Sequence, residues 1–330
     1  MRIPLPIRVL SWPLSVLYGF ATRVRLLLYE KRILTRTRLK APVISVGNLT
    51  VGGTGKTPMV IWLAEKFLGE GKRVAILSRG YRGTNGTSDE IELMKRRLCG
   101  RAVFGIGRDR YGEGSRIESV QPVDVFLLDD GYQHLELERD VNVLMLDGSR
   151  KIHEEWLLPA GELREPVSAC SRADLIVVTR KHEPPDLPAG DHEHQIFYAQ
   201  TRLLGLRGAG QEGTLSSANE LARRPLFALC GIGNPKAFFD DLKSWRVAVT
   251  GTKSFRDHHR YSQRDAVQLA ELARQSGAKG FITTEKDEQN LACVAFELPV
   301  HVAVIDFVFA AECELDETIR RLMDARRSQA

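Results

Sequence analysis

Val43-Ile44-Ser45-Val46-Gly47-Asn48-Leu49-Thr50-Val51-Gly52-Gly53-Thr54-Gly55-Lys56-Thr57 begins as an apolar run and ends in glycines, a lysine and a hydroxyl. An apolar strand that runs into Gly-Gly-x-Gly-Lys-Thr reads as a phosphate-binding loop. Glycines 52, 53 and 55 allow turns that a Cβ would forbid and bring successive N–H groups close to phosphate oxygens. The helix expected from Gly55 points its partial positive end at the same anion. Lys56 offers a full charge to the β- and γ-phosphates, and Thr57 a hydroxyl to Mg²⁺. In the pattern G-x-x-x-x-G-K-[ST] the first glycine falls on Thr50, so the match is to the tail of the motif. Ile61-Trp62-Leu63-Ala64 with Phe67-Leu68 gives the following helix a buried face. The nucleotide-binding residues expected are Thr50, Val51, Gly52, Gly53, Thr54, Gly55, Lys56 and Thr57.

The chain has 330 residues, 43% hydrophobic and 27% charged, which leaves room for two domains and a large core. Its five cysteines, Cys99, Cys170, Cys230, Cys293 and Cys313, are widely spaced without a Cys-x-x-Cys pair. Neither a disulfide framework nor a zinc site is indicated, and a reducing compartment fits.

Net charge is +5, and its distribution is uneven. The first 40 residues hold nine Lys/Arg and a single acid, Glu30, so the remainder is net acidic. A basic block of this kind suits nucleic acid or anionic lipid. Residues 9–22 carry no charge and include Leu10, Trp12, Leu14, Val16, Leu17, Tyr18 and Phe20, with Leu26-Leu27-Leu28 after Arg23 and Arg25. That apolar content points to lipid, not nucleic acid. The 14-residue uncharged run falls short of the roughly 18 to 20 residues of a spanning helix. Flanking arginines with Trp12 and Tyr18 between them predict a helix lying in the headgroup region. Two alternatives stand beside it: a helix packed on the protein's own core, and a signal peptide, which lacks a small-residue cleavage site after Phe20.

Apolar β-rich runs recur at 43–47, 74–78, 123–128, 141–146, 175–179, 227–231, 247–250, 280–284 and 299–305, with helix-like stretches between many of them. Such alternation predicts parallel sheets covered by helices. Prolines 184, 185 and 188, and four glycines within 205–213, mark the region expected to link two units. Asn234 and Pro235 make good N-cap and N1 residues for a helix over 235–244. The fold expected is α/β: a P-loop NTPase-type parallel-sheet domain, a second, smaller α/β lobe and an N-terminal amphipathic helix. The boundaries are 1–29 for the membrane-associating helix, 30–200 for the P-loop domain, 201–225 for the linker and 226–330 for the second lobe.

Val125-Phe126-Leu127-Leu128-Asp129-Asp130-Gly131 is an apolar strand ending in two carboxylates, the arrangement that puts an acid beside the Mg²⁺ of a phosphate loop. Strand alternation aims Asp129 and Asp130 at opposite faces unless the chain turns, and Gly131 permits a turn. Tyr132-Gln133-His134 continues at the carboxyl end of that strand, where open α/β sheets bind ligands.

These elements, in order, resemble the bacterial tetraacyldisaccharide 4'-kinases, which phosphorylate the 4'-hydroxyl of the lipid A disaccharide precursor. The resemblance rests on Val46 through Pro58, Ser78-Arg79-Gly80-Tyr81, Asp129-Asp130-Gly131-Tyr132-Gln133-His134, Leu158-Pro159-Ala160-Gly161 with Leu163-Arg164-Glu165, and Thr284-Glu285-Lys286-Asp287. It implies ATP and Mg²⁺ as cofactors and the lipid A precursor as substrate. It further implies a place at the cytoplasmic face of the bacterial inner membrane, with no nucleic acid and no obligate protein partner. A family element that holds the hydroxyl-activating aspartate matches Ser88-Asp89-Glu90-Ile91, and its partner histidine matches Asp257-His258. Asp89, His258 and Asp130 are thereby expected to be catalytic. Arg79, Arg110, His134 and Arg164 are expected to contact phosphate or substrate, and Thr57, Asp129, Asp130 and Glu165 to hold metal. A membrane-surface switch ATPase is the alternative function, although such loops carry a further lysine where this chain has Val51. No Asn-Lys-x-Asp is present to read guanine.

Overall fold

The computed structural model describes residues 5–80, 88–181, 185, 187, 195–211, 215–216 and 224–328. Tyr81, Pro184 and Pro188 lie outside them, as do the first four residues of the expected N-terminal helix and 212–214 and 217–223 of the expected linker. The chain divides into two compact units, the first comprising Met1–Tyr81, Arg97–Gln200 and Val308–Ala330, and the second Arg82–Arg96 and Thr201–Phe307.

In the first unit, β1 (Val43–Gly47), β2 (Val74–Ser78), β3 (Val103–Ile106), β4 (Val125–Asp129), β5 (Val141–Asp147) and β6 (Leu175–Thr179) lie in the order β3-β2-β4-β1-β5-β6. Every neighbouring pair is parallel. β1, β2, β4, β5 and β6 are buried at every position, which is why they read as unbroken apolar runs. After β1 the chain builds outward through β2 and β3, returns as β4 beside β1, then crosses to β5 on the other flank. The carboxyl ends of β1 and β4 therefore lie at a change of direction, the place where such sheets bind ligands. The helices of this unit are α1 (Leu5–Glu30), α2 (Lys56–Gly69), α4 (Arg110–Val120), after α3 (Asp89–Leu98) in chain order, and a last helix Glu312–Arg327.

In the second unit, β8 (Leu226–Cys230), β9 (Val249–Ser254), β10 (Gly280–Thr284) and β11 (Val300–Phe309) are ordered β11-β10-β8-β9, again parallel. The helix Pro235–Ser244 begins as expected, with Asn234 Oδ1 accepting from the Ala237 N–H at 3.3 Å.

The expected boundaries need three corrections. Residues 201–208 are not linker, because β7 (Gln195–Gly208) runs unbroken through them with Leu206 fully buried. The last helix belongs to the first unit: Leu315 and Ile319 are buried and Arg326 pairs with Asp174 at 2.6 Å. Arg82–Arg96, expected in the P-loop domain, belongs to the second. Among the described helices none is long and apolar enough to cross a membrane.

Candidate active site

β1 ends at Gly47, and the chain then turns around Asn48, whose side-chain amide donates to the Thr54 hydroxyl at 3.0 Å and to the Gly52 carbonyl at 3.3 Å. The loop is thus braced from within. From outside, the Val51 N–H donates to the Glu162 carbonyl at 2.8 Å, the Arg164 N–H donates to the Leu49 carbonyl at 2.7 Å, and Thr50 bridges Leu163. Thr50 is buried in this pairing, which accounts for a β-branched residue where a glycine was expected. The glycines are needed further on: Gly52 has φ +120° and Gly55, the N-cap of α2, φ +90°. The Gly53 carbonyl accepts from Arg180 at 3.4 Å. Lys56 and Thr57 stand in the first turn of α2, both half-buried.

Asp129 and Asp130 part company at the end of β4. Asp129, paired with Val46 of β1, is buried and accepts from the Ser78 hydroxyl at 3.1 Å. Asp130 takes a left-handed conformation, φ +50°, and turns its carboxylate to Arg164 at 2.7 Å and Lys56 at 3.5 Å. The turn expected at Gly131 therefore falls one residue earlier. Gly131 serves close packing, since a Cβ there would lie 2.5 Å from Leu128 and from Ser45 Oγ. Burial would raise the Asp130 pKa, but Lys56 and Arg164 outweigh it and hold the carboxyl at about 2.

Arg110 is buried and donates to the Arg108 carbonyl at 3.1 Å. Burial and the nearby charge of Arg79, itself exposed, lower its pKa. His134 is half-buried, and burial together with Arg110, Arg139 and Arg25 lowers its pKa to about 4, so it is neutral at pH 7. Glu165 is buried in an ion pair with Arg172, whose guanidinium lies over Tyr132. Lys56, Asp130, Arg164 and Gln133 thus meet at one point, while Glu165 is committed to Arg172.

In the second unit Asp89 opens α3, and His258 follows β9 in a left-handed turn, φ +59°, its N–H donating to the Gly231 carbonyl at 3.0 Å. The fold joins them across 169 residues in a hydrogen bond of 2.8 Å between His258 Nδ1 and Asp89 Oδ2. Asn290 donates to the same oxygen at 3.2 Å. Burial would raise the Asp89 pKa; the His258 hydrogen bond and charge, with Lys286, bring it down to about 2. The same bond raises the pKa of His258 against burial and Lys286.

Three residues of this constellation were not anticipated in their positions: Glu90, Asn290 and Lys286. Lys286 Nζ lies 2.9 Å from Glu90, 3.1 Å from Asp257 and 3.5 Å from His258 Nε2. Ligand-type atoms of Asp89, Glu90 and His258 fall within 4.8 Å of one another. The Lys286 ammonium already supplies the positive charge there, which argues against a metal. Thr284-Glu285-Lys286-Asp287, the sequence signal, is also a capping turn: Asp287 accepts from the Thr284 hydroxyl, the Tyr261 hydroxyl and the Gly231 N–H.

A family model described as tetraacyldisaccharide-1-P 4'-kinase matches residues 7–324. The tetraacyldisaccharide 4'-kinase of Geobacter sulfurreducens is 39% identical, the match covering 90% of this chain and 88% of that one. That of Pelobacter propionicus is 37% identical over 94% and 91%. Among solved structures, LpxK from Aquifex aeolicus, in complex with ATP, superposes with a TM-score of 0.76 at 32% identity, covering 96% of this chain and 99% of that one. The chain belongs to the tetraacyldisaccharide-1-P 4'-kinase family.

Proposed function

We propose that this chain uses ATP to phosphorylate the 4'-hydroxyl of the tetraacyldisaccharide 1-phosphate lipid A precursor, with Asp89 accepting the hydroxyl proton. The oxygen then attacks the γ-phosphorus, the O–Pγ bond forms, the bond from Pγ to the β,γ-bridging oxygen breaks, and ADP leaves. The observation that carries the role of Asp89 is its 2.8 Å bond to His258. A neighbouring imidazole keeps the carboxylate ionised and oriented, ready to accept a proton.

Lys56 and the N–H groups of residues 52–57 bind the phosphates, and Asp130 holds Lys56 and Arg164 at the mouth of the loop. Arg79, Arg110 and His134 line the same carboxyl edge and contribute phosphate or substrate contacts. Mg²⁺ fits the hard oxygen donors present: the buried Asp129 carboxylate and the Thr57 hydroxyl would hold it. Asp130 and Glu165 already face cations and suit direct ligation less well. When bound, Mg²⁺ neutralises charge on the transferring phosphoryl group. The switch ATPase is not favoured by a family match of this extent.

The exposed apolar face of α1 supports work at a membrane surface, the cytoplasmic face of the bacterial inner membrane, where the acyl chains of the substrate reside. The test is phosphate transfer from ATP to the lipid by wild type, Asp89→Ala and His258→Ala, with ATP binding measured separately. Turnover is expected to fall about 10²–10⁴-fold for Asp89→Ala while ATP binding persists. Retained turnover in Asp89→Ala would overturn the assignment.

A further inference from the structure

Lys286 has not been given a role, yet its ammonium lies closer to the Asp89–His258 pair than any other cation among the hydrogen-bonded contacts described. We infer that Lys286 is a positioning residue that selects the tautomer of His258 and thereby aims the imidazole N–H at Asp89. The inference rests on the reading of Asp89 as proton acceptor and deepens it.

An ammonium can only donate. Lys286 Nζ is 3.5 Å from His258 Nε2, so that nitrogen presents its lone pair and the ring proton resides on Nδ1. Nδ1 is the atom bonded to Asp89 Oδ2. The two carboxylates that could draw a proton to Nε2, Glu90 and Asp257, are each 3.8 Å away, too far for a hydrogen bond. Both are taken by Lys286 instead, at 2.9 and 3.1 Å. The charged groups around His258 are therefore Asp89 and Glu90 from α3, Asp257 from its own turn and Lys286 from the helix Glu285–Leu291. Among the described residues, the three acids favour imidazolium, and Lys286 is the charged group that opposes it, together with burial. Burial disfavours the Lys286 cation, but Glu90 and Asp257 outweigh it and keep the charge in place. A protonated His258 would grip the Asp89 carboxylate and weaken it as a base, so the neutral Nδ1–H form is the one catalysis requires.

The experiment is ¹⁵N NMR of the His258 ring in the full chain, beside the pH dependence of kinase turnover. Wild type, Lys286→Met, Lys286→Arg and the double variant Glu90→Gln/Lys286→Met are compared; the double variant relieves the unpaired acid if the single one folds poorly. Above the pH at which His258 loses its proton, wild type is expected to show the neutral Nδ1–H tautomer. Loss of the lysine charge is expected to raise the His258 titration and the acid limb of the pH–rate profile together, by about one pH unit, with Lys286→Arg close to wild type. An Nε2–H tautomer in wild type, or an unshifted titration in Lys286→Met, overturns the inference. In the double variant, where the loss of the Glu90 charge offsets that of the lysine, the readout is the tautomer, and a ring that stays wholly Nδ1–H overturns it. Asp89→Asn separates the two readings: if it turns over normally the proton-acceptor reading fails, whereas an inactive Asp89→Asn beside an unshifted His258 removes Lys286 alone.

Discussion

His134 is a base kept neutral by its surroundings, and that has a thermodynamic signature. Burial and the charges of Arg110, Arg139 and Arg25 take its pKa from 6.5 to about 4. The unfolded chain therefore binds the proton first, and the contribution of His134 to stability is present above pH 6.5 and lost as pH falls toward 4. His134→Asn is expected to flatten the decline in thermal stability between pH 7 and pH 5 by on the order of 1–2 kcal/mol, measured by calorimetry; an unchanged pH slope would contradict this environment. His258 acts in the opposite sense, since its pKa is raised by Asp89. Its stabilisation is full below the unfolded value and declines as pH rises through the folded one, which is why the comparison must be with the His134 variant. Asp130 falls in a third window. Its carboxyl is held near 2, so its contribution is lost only between about pH 4 and pH 2. Of these residues the sequence announced Asp129, Asp130 and His134 through their place after an apolar run. It did not announce Lys286 or Asn290 as neighbours of Asp89, because the partners are about two hundred residues apart and only the folded second unit joins them.

The β1–loop–α2 element was legible at once, because its signals are local: an apolar run, three glycines and a helix face with its apolar positions in register. Gly47 shows what local reading misses. It stands at the end of β1 with ordinary φ, and a Cβ built there would lie 2.6 Å from both the Cβ and the backbone N of Tyr132. Tyr132 cannot yield, being buried and bonded through its hydroxyl to the Ala169 carbonyl at 2.6 Å. Gly47→Ala is expected to destabilise by about 1–3 kcal/mol and to displace the turn at Asp130, lowering ATP affinity as well as thermal stability. Gly69, the last residue of α2, meets nothing within 4 Å. Gly69→Ala is expected to stabilise by about 0.5–1 kcal/mol without touching turnover. Equal effects of the two substitutions on thermal unfolding would refute the packing argument. Two strands escaped sequence reading for physical reasons of their own. β3 has only four residues, and β7 carries Gln200, Thr201 and Arg202 mid-strand with glycines near its end, so its polarity imitates a linker.

For the molecule as a whole, the proposed place at a membrane surface rests on α1, which is amphipathic in an unusual sense. The face packed on the first unit is small and polar: the Ser15 hydroxyl donates to the Leu157 carbonyl and accepts from the Ala160 N–H, both at 2.9 Å. Tyr18 donates to the Arg164 carbonyl at 2.8 Å, and Gly19 lies where a Cβ would strike Leu157. The outward face carries Ile7, Leu10, Leu14, Leu17, Val24 and Leu27 at helical spacing, with Leu10 83% and Leu17 64% exposed. Water does not reward such an arrangement, whereas a lipid interface does: burying one leucine gains about 1.5–3 kcal/mol, and each basic residue near an anionic surface about 1 kcal/mol. The core-packed helix raised by the sequence is thus met on one face of α1, while the other face is exposed. Leu10→Glu/Leu17→Glu is expected to reduce partition onto vesicles containing anionic lipid by about a hundredfold or more, while phosphorylation of detergent-dispersed substrate stays within a few-fold of wild type, because neither residue touches the loop. Raising salt on the wild type should weaken partition through the basic block alone and leave the leucine contribution in place. Partition unchanged in the double variant would mean that the outward leucines do not meet lipid, and the proposed membrane-surface role of this helix would fall.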